Sequence, residues 1–376
     1  MAFILQNFIS DIRGKHSFKG ALSDLYNDNK NFLIIILAIL VVWAVATNIV
    51  YHFIDGPPIT TSERVAKYGN SMISRIVLFL SAVCFVKLIL FLKNQAQQKT
   101  ASPLLDTVRN DPYRYMRAAI LLPIGIISFA VLQTNFMSIK TAIPAIQPFY
   151  LDEWASKADR VLFFGHDAWT LFSWIYDIPA LIKIIDLNYT LWVSIVAGLW
   201  IYSFIGESIS RARRYQYIFS MIFIWFIAGN IFAILLSSVG PCYYGYFTGD
   251  HQLYGPLVDR LASLDDKMHL NAVNYQKFLL WMYENPETRF GGISAIPSLH
   301  VGTSLIMLFY FWKNEVLRIL LITFNVLVYI GSIALAWHYA IDGIIAAPIA
   351  VFCWWFAGIV SRKIDNASPS STAATA

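Results

Sequence analysis

Charge is what this 376-residue sequence has least of. Asp, Glu, Lys and Arg together make up 14% of it, against 57% hydrophobic residues. A soluble core of that size cannot hide so much apolar surface, so a water-soluble globular protein is excluded and the chain reads as integral in a membrane. Cysteine is nearly absent as well. Cys84, Cys242 and Cys353 lie far apart, the first and last inside apolar runs, which gives neither a disulfide framework nor a metal-ligand spacing. The N-terminus lacks a basic start and has only a very short apolar run, so a cleaved signal peptide is not expected. Leu5, Phe8 and Ile9 give one apolar side to a short helix at the cytoplasmic interface. No internal repeat and no soluble domain is visible, and no nucleic-acid partner or cofactor is expected.

What the sequence has instead is long hydrophobic runs. Stretches of roughly spanning length fall at about 32–54, 72–93, 116–138, 189–207, 215–238, 297–312, 317–338 and 342–360. The fold class expected is all-α, a polytopic membrane bundle of about eight transmembrane helices with interfacial helices. Its organisation reads as a cytoplasmic segment 1–31, three N-terminal spans in 32–138, extracytoplasmic interfacial helices in 139–188, a catalytic membrane core in 189–360 and a disordered cytoplasmic tail in 361–376. Basic residues cluster on one side of that bundle, with Arg211, Arg213 and Arg214 in one tight loop, so both termini are expected in the cytoplasm. The stretch 139–188 is too apolar for a free loop; Asp167, after Gly165, is the expected N-cap of a second interfacial helix there, and the two helices serve either as an aromatic anchor or as the lipid-side rim of a site.

Chemistry concentrates in two short segments, Gly292 to His300 (GISAIPSLH) and Trp337 to Gly343 (WHYAIDG). Pro297 and Ser298 suit a helix start, whose free N–H groups attract an anion such as phosphate, and His300 lies one turn inside. One apolar helix away and one back return the chain at His338, which puts both imidazoles on the extracytoplasmic face. Asp342 follows His338 by four residues, close enough to bind one ring nitrogen and leave the other a better nucleophile or base. A nucleophilic histidine, a second histidine to protonate a leaving oxygen and an orienting carboxylate are the parts needed for displacement at phosphorus. Taken singly, each of these residues is more simply an interfacial polar group or a helix cap; together on one face they point to a site. His16, His52, His166, His251 and His269 have no comparable partner and are read as structural. Metal binding is the competing chemistry for two histidines and a carboxylate. No helical pair of histidines supports it, and no metal is expected.

Pro297, Ser298 and His300, with Leu299 in a glycine's place, and His338 with Asp342 resemble the signatures of the type 2 phosphatidic acid phosphatase superfamily. The resemblance implies His338 as the nucleophile that forms a phosphohistidine, His300 as general acid and then base, and Asp342 as the orienting carboxylate. Two departures stand out. Gly331 and Ser332 occupy the positions of the family's serine-arginine, and the first motif, a lysine with Arg-Pro seven residues on, has no match because the chain contains no Arg-Pro. Fewer phosphate-binding cations suit a substrate of lower charge. PSLH, HYxxD, Asp159-Arg160 and Phe164-Gly165 are similar to the inositol phosphorylceramide synthase branch, which implies a phospholipid donor and a lipid hydroxyl acceptor. Ser298, Arg289 and Lys277 are the expected substrate-binding residues. A lipid phosphate phosphatase and a transporter or scaffold with structural histidines are the other readings. The expected location is a bacterial inner membrane with the site facing the periplasm.

Overall fold

The computed structural model describes residues 18–54, 112–285 and 291–367, and every regular element among them is helical. The expected span at 72–93, the N-terminal interfacial segment, Arg289 and the tail beyond residue 367 lie outside the described residues. The other seven expected stretches each coincide with a helix. Two long helices open the bundle, α1 (Phe18–Phe53) and α2 (Pro112–Ile146). A short α3 (Asp152–Leu162) and a 3₁₀ run over Ala168–Asp177 follow, then α4 (Pro179–Ile205) and α5 (Arg211–Leu235). Beyond them come the small α6 (Tyr244–Thr248), the hairpin of α7 (Gly255–Met268) and α8 (Asn271–Glu284), then α9 (Leu299–Tyr310), α10 (Glu315–Ala334) and α11 (Ala340–Ala367). Among the described residues six helices are long and apolar enough to cross a membrane. α9, at 12 residues, is not one of them.

The core is built around α5 and α11, which lie against each other along their length. On α11, Ala346, Ala350, Cys353 and Ala357 recur on one face and are fully buried. Small side chains let two helix backbones approach where lipid supplies no hydrophobic drive of its own. α9 and α10 pack beside this pair, α4 closes the far side, and α1 and α2 lean on the outside. There Phe32 stacks on Tyr215 at 3.7 Å and Trp43 meets Phe226 edge-on.

Several boundaries differ from the hydropathy reading for identifiable reasons. α2 continues to Ile146 because its last turns are buried, with Ile143 fully enclosed. α11 runs to Ala367, so the tail is still helical past residue 361: Ile364 is buried and Asp365 pairs with Arg211 at 2.5 Å. Asp167 does stand at the start of the 3₁₀ run, but its carboxylate takes a bidentate bond from Arg160 (2.7 and 3.1 Å) and makes no cap.

A buried carboxylate helps tie the α7–α8 hairpin to the bundle. Asp186 on α4 accepts from the backbone N–H of Asn271 (3.0 Å) and Ala272 (2.9 Å), from Asn271 Nδ2 (3.0 Å) and from Lys183 Nζ (3.4 Å). It therefore caps α8 from another helix. Asp186→Ala strands the buried Ala272 N–H and the partly buried Asn271 N–H, so a loss of about 2–4 kcal/mol is expected. Hydrogen exchange of the purified protein should show protection lost first across α8. Unchanged protection there would refute the tether.

Candidate active site

His338 sits in the five-residue turn between α10 and α11, and that turn is held from all sides. Its own backbone N–H and that of Trp337 both donate to Ser332 O, at 2.9 and 3.0 Å. The carbonyls at the end of α10 and just beyond it are taken by Tyr176 Oη on Ala334 (2.9 Å), Gln276 Nε2 on Leu335 (2.7 Å) and the Cys242 N–H on Ala336 (2.9 Å). Orphan carbonyls at a helix end are thereby satisfied without water. Beneath the turn, Gly240 has φ +88°, and a Cβ there would stand 2.6 Å from Trp337 O, so only glycine lets the two backbones touch.

Two aspartates of α3 anchor the same turn. Asp159 accepts from the N–H groups of Ala340 and Ile341, both at 2.8 Å, and so caps α11 from outside. Asp152 accepts from Tyr339 Oη (2.9 Å), Ser238 Oγ (2.9 Å) and the Val239 and Gly240 N–H groups. α3 thus positions the histidine turn, and its carboxylates rather than its aromatics do so.

Within this frame His338 Nδ1 lies 3.0 Å from Asp342 Oδ2, which also accepts the Tyr339 N–H at 3.1 Å. With Nδ1 donating to the carboxylate, Nε2 carries the lone pair. Burial, joined by the positive charge of Lys140, holds the imidazole well below the usual histidine range against the opposing pull of the Ala295 carbonyl. A neutral ring is the nucleophilic form.

Ser298 caps α9, accepting from the Val301 N–H at 3.5 Å, and its own N–H donates to Asp342 O at 3.2 Å. His300 is the second residue of that helix, nearer the cap than a full turn. Its ring centroid is 6.1 Å from that of His338, with Tyr189 and Trp192 of α4 against it at 4.1 and 4.0 Å. The structure brings His300, His338, Asp342 and Ser298 together. Lys277 is elsewhere, donating to Asp265 at 2.9 Å in the α7–α8 hairpin.

Sequence reasoning missed Lys140. Its charge acts on both imidazoles, and no carboxylate among the described residues pairs with it. Pro144, four residues on, has no N–H to offer the Lys140 carbonyl. Gly292 packs against that carbonyl so tightly that a Cβ would fall 2.2 Å from it, which fixes the entry to α9 beside the lysine. The signal was present, because Gln147-Pro148 stands seven residues after Lys140, the first-motif spacing with glutamine for arginine. Among the described residues no three His, Cys, Asp or Glu side chains gather as a metal site.

Residues 153–356 match the family model described as the PAP2 superfamily, and Lys140 lies upstream of that stretch. No match was found among curated proteins or among solved structures.

Burial raises the Asp159 carboxyl to about 6, against the pull of the Ala340 and Ile341 N–H groups and with Asp167 adding to the rise. An unfolded aspartate titrates near 4, so between about pH 4 and pH 6 the folded state holds the proton more tightly. Stability from this group is therefore largest in acid and falls as pH rises through about 6, by up to about 3 kcal/mol. Asp159→Asn removes the titration. Thermal melts of both proteins should converge or cross between pH 4 and pH 7, with the native protein losing ground as pH rises; a constant difference would contradict the assignment.

Proposed function

Because this chain belongs to the PAP2 superfamily, we propose that it is a membrane lipid phosphotransferase that moves a phosphorylated head group from a phospholipid to a lipid hydroxyl through a phosphohistidine. Family membership alone makes it a lipid enzyme of the phosphatase or phosphotransferase type. The observation that carries the finer reading is the His338–Asp342 pair at 3.0 Å with the His300 ring 6.1 Å away and the Lys140 charge acting on both rings.

His338 Nε2 attacks the phosphorus of the donor. The N–P bond forms as the bond to the diacylglycerol oxygen breaks, and His300, as imidazolium, gives that oxygen its proton. An acceptor hydroxyl then loses its proton to the neutral His300, and its oxygen displaces His338 from phosphorus. Lys140 is the cation for the non-bridging oxygens, and the start of α9 behind Ser298 adds backbone donors. Arg289, outside the described residues, remains a second cation in this scheme, whereas Lys277 is engaged by Asp265. The motifs similar to the inositol phosphorylceramide synthase branch support transfer to a ceramide-like hydroxyl. Loop charges support an extracytoplasmic site, in a bacterial inner membrane the periplasmic face.

Hydrolysis is the second reading. A cavity of about 10 Å³, room for one water, adjoins His338 between Asp159, Trp169 and Tyr339.

Purified protein given phosphorus-labelled phospholipid should form an acid-labile phosphoprotein, and His338→Ala should lose both that label and turnover, by roughly three orders of magnitude or more. A His338→Ala protein that still turns over ends the proposal. Adding a long-chain hydroxyl lipid should channel label into it; label released only as a water-soluble phosphate ester, acceptor present or not, assigns the hydrolase.

Lys140→Gln should lower kcat/KM by roughly 10–100-fold, the worth of one charge-assisted bond to phosphate, with Lys140→Arg keeping most of it. Equal activity of Lys140→Gln and the native protein would remove the lysine from the scheme.

A further inference from the structure

His338 has a carboxylate to set its tautomer and charge. His300, the proposed acid and base, has no such partner: among the described residues no hydrogen bond reaches its ring. Its charged neighbours work against its task. Burial weighs most against a cation there, and His338, when protonated, and Lys140 add to it, yet the first half of the proposed reaction requires one.

What the ring does have is aromatic surface. Tyr189 lies nearly parallel to it, at 4.1 Å and 17°, and Trp192 lies at 4.0 Å and 38°. The two are three residues apart on α4, one helical turn, and so share the face that meets α9. Trp192 is fixed in place by its Nε1–H bond to Thr303 Oγ1 (2.8 Å), one turn along α9 from His300, and by stacking on Trp225 at 6.1 Å. Tyr189 is buried, and its hydroxyl, near Asp342 and Cys242, has no hydrogen-bond partner among the described residues. The hydroxyl is therefore not what ties Tyr189 to His300; the ring is.

We propose that Tyr189 and Trp192 are positioning residues that clamp His300 and, through their π faces, stabilise its protonated form, offsetting Lys140 so that His300 can serve as the acid. An aromatic face attracts imidazolium through the ring quadrupole and neutral imidazole far less, and the difference grows where water is excluded. The clamp also restrains the ring against the two aromatic faces. This inference rests on the acid–base role given to His300 above.

The test is the pH dependence of the first half-reaction, read as diacylglycerol released in a single turnover by the full-length protein in detergent. In the native protein the rate falls on the alkaline side as His300 loses its proton. Tyr189→Leu and Trp192→Leu should each move that limb to lower pH by about half to one unit, the worth of one cation–π contact. Tyr189→Phe and Trp192→Phe keep the ring face and should leave the limb within about 0.2 unit of its native position on the same scale. A leucine variant that is not monodisperse is replaced by Tyr189→Met or Trp192→Met, with the same expectation. Leucine or methionine variants that slow the reaction equally at every pH, with the limb unmoved, overturn the clamp. His300→Gln, run in parallel, separates the two failures. If its profile keeps the alkaline limb, the acid–base role is wrong; if the limb vanishes there but stays fixed in the Tyr189 and Trp192 variants, only the clamp is refuted.

Discussion

A backbone N–H that leaves regular structure inside apolar surroundings must find an acceptor, and in this bundle the acceptor is again and again a buried aspartate. Asp152 serves the turn at Val239 and Gly240, Asp159 the start of α11, Asp186 the start of α8, Asp265 the N–H of Leu270, and Asp342 the N–H of Tyr339. An unpaired N–H in such a place costs several kcal/mol, and a buried carboxylate costs more unless several donors converge on it. Each requirement answers the other. Breaks in the helices are tolerated only where a carboxylate waits, and the carboxylates remain ionisable only where breaks supply donors. The His338 turn is the densest case, enclosed by Asp152, Asp159 and Asp342 at once.

That mutual dependence explains what could and could not be read from the chain. Hydropathy located seven of the described helices, because a spanning run is a local property of composition. The same holds for the cap at Ser298 and the His338–Asp342 spacing, which need only four or five consecutive residues. The partners of Asp152 and Asp159 lie about 90 to 190 residues away, and no local pattern marks them. Asp167 misled for the converse reason. It follows Gly165 as a cap should, but Arg160, seven residues before it, offers a charge-assisted fork that outweighs a cap bond.

Lys140 is an intermediate case. Its spacing to Gln147-Pro148 was legible, but the motif was sought by its arginine, and glutamine hid it. Hydropathy also ended the span at residue 138, which put the lysine in a loop. In the fold the helix continues, and Gly292 pressing on the Lys140 carbonyl brings the approach to α9 alongside. The glycine that opens the first histidine segment is thus explained by a helix more than 140 residues earlier.

Charge balance ties this geometry to the proposed donor. In the proposed site, leaving aside Arg289 and the outer aspartates Asp152 and Asp159, whose carboxylates are spent on backbone donors, the Asp342 carboxylate, the Lys140 ammonium and the His300 imidazolium sum to one positive charge when His300 is ready to act as an acid. A phosphodiester brings one negative charge and closes the balance. A phosphate monoester, close to a dianion at neutral pH, leaves one negative charge over in a buried site, where two unit charges 4 Å apart still interact by about 4 kcal/mol even at an effective dielectric of 20. Arginines at the positions of Ser332 and Gln147 would absorb that surplus. Glutamine at 147 keeps amide donors and withholds the charge, and serine at 332 carries none, its hydroxyl donating to Tyr329 O. Both replacements act in the same direction, towards the diester head-group transfer proposed above.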